Sequence, residues 1–208
     1  MLDNIEVIHH SSIKINNIFI DPFELNEDYD NADYIFITHS HYDHFSEGDI
    51  LKIKNDNTII VIPKDLKDSV LKLGFKENKI ILVESNKEYN IDGINFKTIP
   101  AYNINKAFHP KTNNWVGYII TVNDTKYYIA GDTDNTPEAR SVNCDVAFVP
   151  VGGTFTMTYE EAASLVNKIK PAIAIPIHYG SIVGSESDAK NFVNLLSNNI
   201  EGKIIMKY

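Results

Sequence analysis

The segment Thr38-His39-Ser40-His41-Tyr42-Asp43-His44 places three imidazoles and a carboxylate within six residues. Imidazole nitrogens and carboxylate oxygens are donors that Zn, Mn and Fe accept. No thiolate stands among them, which argues against a closed structural zinc site. Similar donors recur twice. Asp132 and Asp134 lie in Ala130-Gly131-Asp132-Thr133-Asp134, and His178 lies in Pro176-Ile177-His178-Tyr179-Gly180. A carboxylate at Asp132 has lone pairs on both oxygens and could bridge two cations. Each later motif is weak alone. An Asx turn explains the first, and a structural histidine at a strand end explains the second. A histidine-rich surface loop is the plain alternative for residues 38–44. It is disfavoured because all three clusters directly follow apolar, strand-like runs, where loops carry chemistry.

The elements that must position these residues are short. Apolar, β-branched runs predict strands at 5–8, 13–15 and 18–20, with Asn16-Asn17 turning the chain between the last two and Asp21-Pro22 stopping it. Residues 34–37 read as a buried strand feeding the histidine motif. If the strand continued through it, His39, His41 and Asp43 would share one face, and a bend near Asp43 would bring His44 to the same side. Ser46 with Asp49 marks a helix start. A strand at 59–62 and a helix at 64–73, stopped by Gly74, come next. Two hairpins follow, 89–91 with 94–99 across Asp92-Gly93, and 115–122 with 125–130 across Asn123-Asp124. The polar stretch 101–114 lies between them. The last third predicts a strand at 146–149, a helix capped by Thr158 and Glu161 and ending near Lys170-Pro171, a strand at 172–177, a helix at 188–197 and a strand at 200–206. Strand meanders followed by β-α-β units, in two similar halves, predict an α/β protein with sheets packed together and helices outside.

The order T-H-x-H-x-D-H, then G-D-T-D, then a strand-end histidine resembles the metallo-β-lactamase-fold hydrolase superfamily over nearly the whole chain. His10-Ser11, Pro100-Ala101-Tyr102-Asn103, Phe108-His109-Pro110-Lys111, Val149-Pro150-Val151-Gly152-Gly153-Thr154 and Thr156-Met157-Thr158 are similar to a small bacterial branch of it. That branch comprises metal-dependent hydrolases related to the ascorbate-6-phosphate lactonases. The resemblance implies one domain over residues 1–208, a four-layer αβ/βα sandwich with the metal site at one edge between the sheets. It implies two divalent ions, zinc with manganese or iron as alternatives. His39 and His41 would bind the first ion, Asp43, His44 and His178 the second, and Asp132 would bridge them together with a water or hydroxide. The superfamily usually places a histidine just after the strand that ends at Pro100, where this chain has Ala101, Tyr102 and Asn103. His109 is the expected replacement, with Asn103 or water as the other candidates. A His109 stacked on Trp115 or Tyr102 is the structural alternative. His10 and Asn103 are expected near the site, touching substrate or supporting the ligands, and His9 should point away by alternation.

The implied chemistry is hydrolysis. Two cations lower the pKa of a bridging water toward neutrality, polarise a carbonyl or phosphoryl oxygen and stabilise the charge that develops. Asp43 is the expected catalytic group orienting the hydroxide, and Tyr102 the expected donor to the oxyanion, with Asn103 or His109 as alternatives. Ligand histidines need acceptors to fix their tautomers, and Thr38, Ser40 and Asp134 are the candidates. Lys106 and Lys111 flank His109, where they either attract an anionic substrate or are simply solvated. An ester, lactone or phosphodiester is the leading substrate class. The alternatives are an iron-dependent redox or oxygen-handling member of the same fold, and a non-catalytic metal-binding protein.

Composition bounds the rest. A chain of 208 residues with 43% apolar and 23% charged residues is ordinary for one globular domain. A net charge of -9 gives no general grip on nucleic-acid phosphates. The single cysteine, Cys144, excludes an intramolecular disulfide and a cysteine-based zinc knuckle, and reads as structural. No apolar run approaches the roughly 20 residues of a membrane span. The opening MLDNIEVIHH lacks the basic-then-apolar pattern of a secretory signal. The expectation is a cytoplasmic protein acting on a small molecule, with no nucleic-acid or membrane partner. The oligomeric state is not legible.

Overall fold

β-Branched residues, stiff at χ1 and suited to a pleated surface, supply most strands of the first unit. The computed structural model describes residues 4–26 and 28–206, and this unit comprises the described residues up to Glu84 together with Met206. β1 (Ile5–His9), β2 (Ser12–Ile15) and β3 (Ile18–Ile20) form an antiparallel meander. β4 (Tyr34–Phe36), β5 (Ile59–Pro63) and β6 (Ile80–Val83) add to β3 in parallel, so the sheet runs β1-β2-β3-β4-β5-β6. Asn16 takes a left-handed φ of 52° at the turn between β2 and β3. α1 (Glu47–Ile53) crosses from β4 to β5, and Ser46 caps it by accepting from the Asp49 amide. A 3-10 turn (Lys64–Leu66) and α2 (Lys67–Lys72) make the next crossover, and Gly74, at φ 83°, ends it. Ile50 and Ile53 of α1 and Val70 of α2 share one buried core with Ile35, Ile37, Ile60 and Ile62. β6 was not anticipated. Its residues are mostly half-buried, so no alternation marks it in sequence.

The second unit spans residues 85–205. β7 (Glu88–Ile91), β8 (Ile94–Pro100), β9 (Val116–Val122) and β10 (Thr125–Ile129) are antiparallel neighbours. β11 (Val146–Pro150), β12 (Ile173–Ile177) and β13 (Glu201–Gly202) continue in parallel, completing a seven-stranded sheet. Both hairpins use two-residue turns with positive φ, 48° and 91° at Asp92-Gly93 and 48° and 62° at Asn123-Asp124. Such turns match the twist of the paired strands. Gly117 sits where an added Cβ would lie 2.5 Å from the Ala130 carbonyl, so only glycine lets the backbones approach there. α3 (Tyr159–Ile169) starts at a complete capping box between Thr158 and Glu161 and ends at Lys170, left-handed at φ 54°. α4 (Glu186–Asn194) starts two residues earlier than expected because Ser185 and Asp188 form its cap. The expected strand at 200–206 is reduced to β13. Beyond it, Met206 makes an isolated bridge with Val7 and belongs to the first unit.

The pairings fix direction. In the first sheet β1, β3 and β4 run the same way, since two antiparallel steps restore direction and β3 pairs β4 in parallel. His10, Asp21 and the 38–44 segment therefore leave from one edge. In the second sheet β8, β10, β11 and β12 likewise run together. The segments starting at 101, 130, 151 and 178 leave from one edge of that sheet. No helix among the described residues is long and apolar enough to cross a membrane.

Asp49 ties α1 to the segment after β3. Its carboxylate accepts from the Glu24 and Leu25 amides at 2.9 and 3.2 Å, and from Ser46 Oγ and Lys52 Nζ at 2.7 Å each. Burial pushes its pKa up, but the hydrogen bonds from Lys52, Ser46 and Leu25 outweigh burial and leave it below the ordinary value. A carboxyl lowered on folding stabilises above its unfolded pKa, and that contribution fades as pH falls through the folded value. Asp49→Asn should cost about 1–2 kcal/mol at neutral pH. The gap to wild type should close as pH drops below about 4. Urea unfolding across pH measures both.

Candidate functional site

The strand does not run on through the histidine motif. β4 stops at Phe36, and the chain then turns, with the His44 and Phe45 amides both donating to the His41 carbonyl at 3.0 and 2.8 Å. The expected sharing of a face by His39, His41 and Asp43 is therefore corrected, because a turn rather than the pleat groups these side chains. His39 Nε2 lies 3.1 Å from His41 Nδ1. Asp43 Oδ2 instead lies 3.2 Å from His10 Nε2 and 3.6 Å from His44 Nε2. His10 is fully buried and follows β1 at φ 52°, a left-handed conformation that costs a histidine about 1 kcal/mol or more. His9 turns elsewhere, 3.0 Å from Glu24.

Asp21 is the residue that sequence reasoning missed. In the sequence it stands out only as part of the Asp21-Pro22 stop after residues 18–20. Its buried carboxylate accepts from the Thr38 amide at 2.8 Å, the Thr38 hydroxyl at 2.6 Å and His44 Nδ1 at 2.7 Å. Because the Thr38 hydroxyl spends its proton on Asp21, its oxygen accepts from His39 Nδ1 at 3.0 Å. One carboxylate thus fixes two tautomers, leaving His39 and His44 with Nε2 as the lone-pair nitrogen. Burial pushes the Asp21 carboxyl above its ordinary value, against the opposing pull of His44 and Thr38. The available signal was a carboxylate directly after the strand-like run at 18–20, the kind of position that the histidine motif holds after 34–37.

The second unit holds a matching arrangement. Asp132 Oδ2 lies 3.2 Å from His109 Nε2 and 3.0 Å from His178 Nε2, and all three residues are buried. His178 follows β12 at φ 59°. The Gly152 backbone packs so close to the His178 carbonyl that a Cβ there would clash. His109 packs against Trp115, ring centroids 5.8 Å apart, so the structural contact and the approach to Asp132 coexist. Asn103 explains the orientation. Its Nδ2 donates to Asp134 Oδ1 at 3.1 Å and to the Phe155 carbonyl at 3.0 Å, which leaves Oδ1 as the acceptor. That oxygen accepts from the His109 amide at 3.0 Å and His109 Nδ1 at 3.1 Å. With its Nδ1 directed to Asn103, His109 presents Nε2 to Asp132.

Several expected roles resolve differently. Tyr102 donates its hydroxyl to Glu138 at 2.8 Å, and burial followed by that bond holds the phenol above its ordinary pKa. Its main chain is stitched to the 131–134 segment, the Tyr102 carbonyl accepting from the Asp134 amide at 3.0 Å. Asp134 supports His109 through Asn103 rather than directly, and also accepts from the Ile104 amide at 2.8 Å. Of the three expected tautomer supports, Thr38 touches a histidine, while Ser40 is half-exposed on the turn. Lys106 pairs with Asp134 at 2.6 Å and Lys111 with Glu138 at 2.8 Å. Cys144 is buried, and burial, with Asp145 beside it, pushes its thiol up to about 12, so it is no nucleophile.

The sequence profile of the beta-lactamase superfamily domain matches residues 4–178. A metal-dependent hydrolase from Pyrococcus horikoshii is 31% identical over 202 residues, covering 90% of this chain and 88% of its own. One from Thermococcus onnurineus is 29% identical, covering 98% and 96%. A solved structure from Parabacteroides distasonis superposes with a TM-score of 0.82 at 30% identity, over 97% of this chain and 91% of that one. A metallo hydrolase from Ignicoccus hospitalis superposes with a TM-score of 0.78 at 20% identity, over 97% and 94%, a likeness of fold. Relatives in archaea widen the expectation of a bacterial branch.

Support of this kind is measurable apart from turnover. Losing a partner that orients a ligand histidine lowers metal affinity by about 10- to 100-fold. Asp21→Asn should show that loss in a chelator-competition titration, with its circular dichroism unchanged.

Proposed function

We propose, on the premise that this chain belongs to the beta-lactamase superfamily, that it is a metal-dependent hydrolase of a small-molecule ester, lactone or phosphodiester. Divalent cations, zinc foremost and two in number, would take as ligands His39, His41, Asp43 and His44 of the first unit and His109, Asp132 and His178 of the second. The observation that carries this reading is the set of fixed tautomers. Asp21, Thr38 and Asn103 take the Nδ1 protons of His44, His39 and His109, which leaves each Nε2 to bind a cation. The donors are nitrogen and oxygen throughout, the class that suits zinc, manganese or iron. When bound, such ions supply hydroxide from water near neutral pH and polarise the oxygen of the scissile group.

The chain's own residues do the rest. Asp43, held between His10 and His44, orients the attacking water by accepting its hydrogen bond. Asp132, with His109 and His178 against its Oδ2, is the carboxylate of the second unit placed to help hold the cations. Tyr102, bonded to Glu138, braces the loop that carries Asn103 and His109. In this setting it is a positioning residue.

Protein purified without chelators should carry about two equivalents of metal per chain and hydrolyse activated esters. Chelation should abolish turnover, and zinc or manganese should restore it. Asp132→Asn should lower kcat/KM at least 100-fold, equivalent to about 2.7 kcal/mol of transition-state stabilisation. One equivalent would show that these donors hold a single cation and overturn the two-cation reading. Two equivalents of iron without hydrolysis would replace this reading with a redox one.

A further inference from the structure

Seven large apolar side chains are exposed among the described residues, and four of them lie in the segments that carry the candidate ligands. Tyr42 stands between His41 and Asp43, Ile104 follows Asn103, Phe108 precedes His109, and Ile182 lies shortly after His178. Scattered exposed apolar residues mean little, but their concentration on functional loops does. In the second unit the Phe108 ring meets Phe155 edge-on, centroids 4.8 Å apart. The Phe155 carbonyl is the one that receives Asn103 Nδ2, so this aromatic pair sits one hydrogen bond from the amide that orients His109. In the first unit Tyr42 packs on Phe23 at 6.0 Å, and Phe23 meets the His10 ring at 6.3 Å.

The charges on the same loop do not favour an anion. Lys106 lies 2.6 Å from Asp134 and 4.0 Å from Glu161. Lys111 lies 2.8 Å from Glu138, with its ammonium 4.3 Å from the Tyr102 ring centroid. Both cations that flank His109 are thus matched by carboxylates of this chain, and the chain as a whole carries a net charge of -9.

We propose that the substrate is an uncharged carboxylic ester or lactone with an apolar acyl or aryl group, and that Ile104, Phe108 and Phe155 cover that group. This rests on the hydrolase reading above and narrows it, setting the phosphodiesters aside. Water oxygen bonds to the acyl carbon, the acyl–oxygen bond breaks, and the water proton passes to the departing alkoxide, giving acid and alcohol.

The test compares 4-nitrophenyl acetate, 4-nitrophenyl hexanoate and bis(4-nitrophenyl) phosphate on protein loaded with zinc. The hexanoate should exceed the acetate in kcat/KM by about tenfold or more, and the phosphodiester by more still, because added methylenes gain from apolar cover. Phe108→Ala should raise KM for the hexanoate about tenfold with kcat little changed, the signature of lost uniform binding. Equal turnover of acetate and hexanoate, or a preference for the phosphodiester, overturns the proposal and leaves the hydrolase standing. No turnover of any of the three by protein holding two zinc ions overturns the hydrolase reading itself. Binding of the neutral fluorophore N-phenyl-1-naphthylamine then judges the apolar surface alone. Binding weakened about tenfold by Phe108→Ala upholds the surface, and equal binding by both proteins refutes it.

Discussion

An imidazole offers a cation one nitrogen, and the acceptor that holds the proton on the other nitrogen sets which one and fixes the ring. That constraint organises the residues around the histidines of this chain. In the first unit a single buried carboxylate meets it twice. Asp21 takes the His44 proton directly and the His39 proton by way of the Thr38 hydroxyl. Burying a carboxylate is costly unless hydrogen bonds replace its hydration. Here the three donors that do so include the groups that need orienting. In the second unit the acceptor is the Asn103 amide, itself oriented by Asp134. A neutral amide has one oxygen and one NH₂, so pinning the NH₂ on Asp134 and the Phe155 carbonyl decides which atom faces His109.

Strand direction delivers these groups. A parallel sheet sends all its carboxyl-terminal loops to one edge, and two antiparallel steps leave direction unchanged. Asp21 and the histidine motif follow β3 and β4, which are parallel neighbours. His109, Asp132 and His178 follow β8, β10 and β12, which share a direction in the other sheet. His10 and His178 each occupy the first position past a strand with φ above 50°. A left-handed residue there reverses the chain at once, so the side chain sits at the strand end instead of continuing the pleat.

Most of the fold was legible because its signals are local. Asp92-Gly93 and Asn123-Asp124 announce two-residue hairpins, Thr158 with Glu161 announces a helix start, and β-branched runs announce buried strands. β6 and the end of the chain were less legible. β6 is a half-buried edge without alternation, and the 200–206 run breaks after Gly202. At the site, the donor types and the loops that carry them could be read from sequence. Of the tautomer supports, Thr38 could be named from its place beside His39, but Asp21 could not, because it lies 17 residues before Thr38 and only strand pairing brings the two together. Tyr102 shows the converse. Its place in the loop implied a hydroxyl aimed at the reaction, whereas Glu138, 36 residues away, claims that hydroxyl.

The loop after β8 shows what such displacement requires. The family pattern implies a histidine directly after the strand, and this chain places His109 nine residues past Pro100. A histidine on a long loop is free to wander unless the loop closes on itself, and here it closes at both ends. The Asn103 amide donates to the His109 carbonyl at 2.8 Å while the His109 amide donates to Asn103 Oδ1 at 3.0 Å. The Tyr102 and Lys111 side chains meet at Glu138. The same closure turns Lys106 and Lys111 toward carboxylates and leaves Ile104 and Phe108 facing solvent. Holding the histidine and presenting an uncharged, apolar rim are therefore two consequences of one loop geometry.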